Sequence, residues 1–112
     1  MREKLISELS VLKIKIQDAE NAVFVASSHL RKIERSLVDV EDLIIMGKLD
    51  GVSIDGIDDE IRAVQMRDAT TIYRMDVNTA EGFLEANKLE LANLKTELRI
   101  NLALVELVKG VV

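Results

Sequence analysis

The chain has 112 residues, with 15 Lys and Arg against 20 Asp and Glu, a net charge of −5 and a pI near 4.9. That acidity weighs against nucleic acid or an anionic membrane surface as partner, because both are held through phosphates neutralised by Lys and Arg. The absence of cysteine excludes a disulfide framework, a thiolate metal site and a cysteine nucleophile, and the absence of proline leaves long helices unobstructed.

Two Phe, one Tyr and no Trp are too few aromatics for an ordinary globular core, although 48% of residues are apolar. The apolar content is Leu, Ile, Val, Ala and Met, the residues of interhelical seams. The opening Met1-Arg2-Glu3-Lys4 runs into an amphipathic helix rather than a signal-peptide core. No run of about 18 apolar residues is present to span a bilayer. A cytoplasmic protein of one domain, residues 1–112, is the expectation.

The first predicted helix covers about residues 2–46. Leu5, Leu9, Leu12, Ile16, Ala19 and Val23 begin a seam that continues through Ala26, Leu30, Ile33, Leu37, Val40 and Ile44. The spacing alternates four and three without a slip. At 48% apolar content, twelve such positions in one register arise by chance on the order of once in ten thousand. A heptad pattern of this length predicts a helix that packs along another helix.

Gly47 follows the seam where a left-handed helix stop is expected. The stretch 47–57 holds three of the five glycines and two Asp-Gly dipeptides, so it reads as a loop. Asp58, Asp59 and Glu60 place negative charge at a new helix amino terminus, with Asp58 or Asp55 as candidate N-cap.

A second helix is predicted over about 58–109. Its seam runs through Ala63, Met66, Thr70, Tyr73, Val77 and Ala80, then Leu84, Asn87, Leu91, Leu94, Leu98, Asn101, Val105 and Val108. Gly82 and a capping-box pattern at Asn78-Thr79-Ala80-Glu81 mark 76–82 as the place for a break, if the helix has one. Two long helices joined by a short linker predict an all-α, antiparallel hairpin with arms of roughly 65–75 Å at 1.5 Å per residue. That pairing sets Leu5 and Leu9 near Leu98, Val105 and Val108. It also sets Ala22 and Ala26 near Ala80 and Gly82, where small residues would let backbones approach closely. Asn87 and Asn101 either fix the pairing register or sit at a solvated edge of the seam.

A solitary hairpin needs one apolar seam and polar residues elsewhere. Here Val11, Ile14, Phe24, Val25, Val38 and Ile45 lie outside the first seam. Ile61, Val64, Ile72, Leu89, Ile100, Leu102, Leu104 and Leu107 lie outside the second. The surplus is expected at the two ends of the hairpin, with a more polar middle. Leaving each in water forfeits about 1.5–3 kcal/mol relative to full burial. The candidate interface residues are therefore Val11, Ile14, Phe24, Val25, Val38, Ile45, Ile100, Leu102, Leu104 and Leu107, and the expected assembly is a four-helix bundle dimer or a higher oligomer.

Catalytic patterns are lacking. His29 is the only histidine, which removes any multi-histidine metal site and leaves a Ser-His-Asp reading without a second base; it is expected to be structural or solvated. No Glu-x-x-His pair is present for a bundle metal site. For calcium, aligning Gly56 with the EF-hand glycine puts Gly51 at the first ligand position and Arg62 where a bidentate Glu is needed. The acidic loop 50–60 therefore reads as helix capping. Arg31, Lys32, Arg35, Arg67 and Arg74 form a band of cations that could hold an acidic partner or nucleic acid, but Glu34, Asp68 and Asp76 fall in the same band and should largely neutralise it as a solvated ion-pair belt.

The leading functional expectation is a non-enzymatic, self-associating interaction module without cofactor or metal: a scaffold, adaptor or assembly subunit. The alternative is a small acidic chaperone covering an apolar helix of a client, in the manner of secretion chaperones or prefoldin subunits, although a prefoldin-type fold needs strands where this linker is too short. A virion or filament component is a further reading, distinguished by open-ended assembly.

Overall fold

The computed structural model describes residues 2–49 and 51–111, with Val111 described by its backbone alone; Met1, Asp50 and Val112 lie outside the described residues. The chain is all-α. Three helices are found among the described residues: α1 (Arg2–Ile45, 44 residues), α2 (Asp59–Ala69, 11 residues) and α3 (Thr71–Val111, 41 residues). The chain divides into two compact units, Met1–Ala26 with Phe83–Val112 and Ser27–Gly82.

The α1 seam is realised position by position. All twelve predicted residues, Leu5 to Ile44, are buried or half-buried. Of the other residues of α1, all are exposed except Ala22, Ser27, Ser28 and Glu41. Along α3, the ten predicted positions from Val77 to Val108 are likewise covered, and every other residue from Met75 to Gly110 is exposed. A period of 3.5 therefore organises both long helices.

In unit 1 the two segments run antiparallel. Leu5 and Ile6 share a groove with Val105 and Val108. Leu9 and Ile16 share one with Leu98 and Leu102, and Ala19 and Ala22 share one with Asn87 and Leu94. Numbers rise along α1 as they fall along α3. Among the described residues of this unit the buried apolar side chains are Leu12, Ala26 and Leu84.

In unit 2, α1 ends in a Schellman motif. The Gly47 N–H donates to the Ile44 carbonyl (3.0 Å) and the Lys48 N–H to that of Leu43 (2.9 Å), with Gly47 at φ 68°. The amino terminus of α2 is capped by Asp58, whose Oδ1 accepts from the Ile61 N–H at 2.8 Å. The linker is also fastened to α2, which no spacing rule anticipates. The Gly56 N–H donates to Gln65 Oε1 (2.9 Å), and Gln65 Nε2 donates to Asp55 Oδ1 (3.0 Å). Arg62 Nη1 donates to the Gly56 carbonyl (3.0 Å) and its other terminal nitrogen pairs with Asp59.

The predicted second helix is interrupted at Thr70, whereas α3 runs straight through 76–82. The cause is local chemistry. Thr70, Thr71 and Ile72 are consecutive β-branched residues, which are crowded in a helix. The Thr70 hydroxyl donates to the Met66 carbonyl (2.8 Å) and the Thr71 hydroxyl to that of Arg67 (3.0 Å). Thr70 sits at φ −108°, ψ 10°, yet its own N–H still reaches the Met66 carbonyl (3.1 Å). The chain is bent there rather than broken. The seam changes phase at the same place: Ala63 and Tyr73 are exposed, while Arg62, Gln65, Ala69 and Arg74 are half-buried.

Candidate interaction surface

Every outward apolar residue singled out from the sequence is exposed. On α1 these are Val11 (50%), Ile14 (59%), Phe24 (67%), Val25 (63%), Val38 (53%) and Ile45 (72%). On α3, Ile100, Leu102, Leu104 and Leu107 range from 42% to 67%. Ile61, Val64, Ile72 and Leu89 are exposed as well. The surplus is not confined to the ends, as the sequence had suggested. Phe24, Val25, Phe83 and Leu89 are far from the termini of their helices, and both phenylalanines of the chain face solvent. Ile57, in the linker, is 93% exposed.

These side chains are not equally placed. On α1 the stripe opposite the seam, stepping alternately three and four from Lys4 to Asp42, holds six charged residues among twelve: Lys4, Asp18, Lys32, Arg35, Asp39 and Asp42. The corresponding stripe on α3 holds none. Its part in unit 1 runs from Ala86 through Leu89, Asn93, Thr96, Ile100, Ala103 and Leu107 to Gly110, and all eight are exposed. In unit 2 the same register gives Ile72, Met75, Thr79 and Gly82, again exposed and uncharged. Apolar residues scattered among charges are ordinary surface, but a contiguous uncharged stripe on an exposed helix is not. α3 thus carries two faces without charge, one used as the seam and one in solvent.

Several sequence expectations are revised by the geometry. Gly82 is not a close-approach position, since a Cβ built there meets nothing within 4 Å. The cation band does not form an ion-pair belt. Among the described residues the ion pairs within 4.0 Å are Arg62–Asp59, Lys88–Glu85 and Lys109–Glu106, so Glu34, Asp68 and Asp76 pair with none of the five cations. Arg74 Nε instead donates to the hydroxyl of fully buried Thr70 (2.9 Å), and Arg31 leans toward Ser28 Oγ (3.5 Å). Asn87 is half-buried on the seam, and its amide donates to the Phe83 carbonyl of its own helix (2.8 Å), which is how a solvated-edge amide behaves. Asn101 lines a groove with Glu8, Lys15 and Glu97.

His29 is exposed. The carboxylates of the loop have structural partners: Asp55 holds Gln65, Asp58 caps α2 and Asp59 pairs with Arg62. No cluster of three or more metal-ligating side chains occurs among the described residues, and no helix there is long and apolar enough to cross a membrane. Comparison with protein-family models, with curated proteins and with solved structures finds no match.

Proposed function

We propose that the chain is a non-enzymatic interaction module: an antiparallel coiled-coil hairpin that self-associates, with four long helices in the dimer, and serves as a scaffold, adaptor or subunit of a larger assembly. The supporting observation is the set of large apolar side chains that the seams leave in water, above all those on the uncharged stripe of α3. A chain of 31% charged residues has ample means to make that stripe polar, and it does not. Burying Ile100 and Leu107 against another helix would recover about 1.5–3 kcal/mol for each side chain at full burial. The net charge of −5 disfavours nucleic acid as the partner.

Sedimentation equilibrium between about 1 and 100 μM tests the proposal, a range chosen to bracket weak protein–protein affinities. Mass at twice 12.5 kDa or a higher multiple supports it; 12.5 kDa throughout refutes self-association.

A second reading, a small acidic chaperone for an apolar client helix, draws on the groove of unit 1 lined by Leu5, Ile6, Val105 and Val108. That reading requires a monomer that binds an amphipathic helical peptide and releases it when Ile6, the exposed residue of that groove, is made charged.

A further inference from the structure

We infer that α3 packs antiparallel against α3 of a second copy of the chain, through the whole of its uncharged stripe, about a two-fold axis at Ala92. The inference rests on the self-association proposed above and adds the face, the partner helix and its direction.

The face follows from the contrast between the helices. The outward stripe of α1 holds six charges along its length, Lys4 and Asp18 in unit 1 and four more in unit 2, so placing it against another helix would strip water from charges with no fixed partner. The stripe of α3 carries no such penalty. Its small residues, Ala86 and Ala103 among them, let a second helix come close, while Leu89, Ile100 and Leu107 supply apolar bulk.

The direction follows from the charges along the edges. On one edge lie Glu85, Ala92, Arg99 and Glu106 at heptad intervals. Arg99 Nη2 donates to Thr96 Oγ1 (3.1 Å), which lays the guanidinium along the stripe, and no described carboxylate lies within 4.0 Å of it. An antiparallel two-fold at Ala92 brings Glu85 of each copy to Arg99 of the other. Glu85 already holds Lys88 at 3.5 Å, and a carboxylate has lone pairs for both cations. The same register sets Ala86 opposite Thr96 and Leu89 opposite Asn93, each larger side chain facing a smaller one. On the other edge Glu90 faces its own counterpart with Glu97 one heptad on, a repulsion left exposed to water. Parallel pairing in register sets Glu85 against Glu90 of the second copy and leaves Arg99 beside Leu104, so it repels without any attraction. Antiparallel packing is favoured.

α3 is about 60 Å long at 1.5 Å per residue. A contact that long and about 10 Å wide covers roughly 600 Å² per partner, somewhat below the standard 800 Å², so the expected dissociation constant is micromolar.

The test uses the full chain, which has no cysteine of its own. Ala92→Cys should crosslink to itself under mild oxidation, whereas Asn78→Cys should not. By sedimentation, Glu85→Arg and Arg99→Glu should each weaken the dimer about fivefold to tenfold, the double swap should return it to within roughly threefold of the parent, and Glu90→Gln should tighten it. Leu89→Glu should abolish the dimer while Val25→Glu on α1 leaves it intact, both retaining helical circular dichroism. Crosslinking of Asn78→Cys as readily as Ala92→Cys would overturn the direction. A dimer indifferent to Leu89→Glu but lost with Val25→Glu would overturn the face, with self-association still standing. A parent chain that stays monomeric refutes the reading beneath both.

Discussion

Substituting Gly56 by Ala tests whether the linker is fastened to α2 as described. A Cβ on Gly56 would lie 2.6 Å from Ile61 Cγ2 and 3.0 Å from both Ile61 Cβ and Gln65 Oε1. Ile61 is β-branched and helical, so its Cγ2 has little room to swing away. The backbone of Gly56 must then retreat from α2. Retreat stretches its two bonds, to Gln65 Oε1 at 2.9 Å and from Arg62 Nη1 at 3.0 Å. Each such bond contributes a net 0.5–1.5 kcal/mol or so, which puts the total cost near 1–3 kcal/mol. Because the linker and α2 can open without the long helices, the loss should register as faster amide exchange at Gly56 and along Ile61–Gln65, about tenfold for each 1.4 kcal/mol. Ile61→Ala removes the 2.6 Å contact and keeps the Cβ at 3.0 Å, so in that background Gly56→Ala should cost roughly half as much. An undiminished cost in the Ile61→Ala background, or unchanged exchange at Gly56, would refute the steric argument.

Three further outcomes follow from the same local geometry. Gly47→Ala should lower stability by about 1–2 kcal/mol, because φ 68° is the left-handed region, and Gly47→Asn should lose less; thermal melts of the three proteins decide. Asp58→Ala should cost about 1 kcal/mol and raise exchange at the Ile61 amide, the one its carboxylate accepts from. Thr70→Val should destabilise by about 1 kcal/mol or more, since it keeps the shape but leaves Arg74 Nε without its acceptor, and Thr70→Ser should recover most of the loss by chemical denaturation.

The long seams were legible because one physical rule, a side chain brought to the same side every 3.5 residues, acts alone over many turns. From Leu5 to Ile44 and from Val77 to Val108 nothing competes with it. The helix stop at Gly47 and the cap at Asp58 were legible for a similar reason, since each depends on one residue and its immediate backbone. The interruption at Thr70 was misplaced because Asn78 and Gly82 are the stronger formal break signals. Neither acts as one, and the interruption falls instead where three β-branched residues are adjacent and two of their hydroxyls share the carbonyls of Met66 and Arg67. A run of β-branched residues after Asp68-Ala69 was the available clue. The grip of Gln65 and Arg62 on Gly56 joins residues nine and six apart across a loop, a distance at which periodicity is silent. The outward residues singled out from heptad position are exposed, but Ile6, Met75 and Phe83, equally exposed, were not among them. The separation of the outward faces into a charged stripe on α1 and an uncharged one on α3 is equally a matter of sequence, but it becomes meaningful once exposure shows which seam is already occupied.

That occupation also decides what form of assembly suits the chain. A four-helix bundle with one shared core needs apolar residues at the seam and on one adjoining edge of each helix. On α3 the adjoining edges hold Lys88, Lys95 and Lys109 with Leu102 on one side, and Glu90 and Glu97 with Phe83 and Leu104 on the other, so charge interrupts each edge along its length. The uncharged stripe lies instead on the side of α3 roughly opposite the seam that faces α1 in unit 1. A helix with apolar faces on opposite sides suits the inside of a layer, and a helix with a charged back, as α1 has, suits its outside. The proposed pairing therefore orders the unit 1 segments as α1, α3, α3, α1, side by side, and no residue of the seam has to serve both contacts. Each chain would complete its own seam before meeting its partner, so charge placed on the stripe at Leu89 should dissociate the copies without unfolding either one.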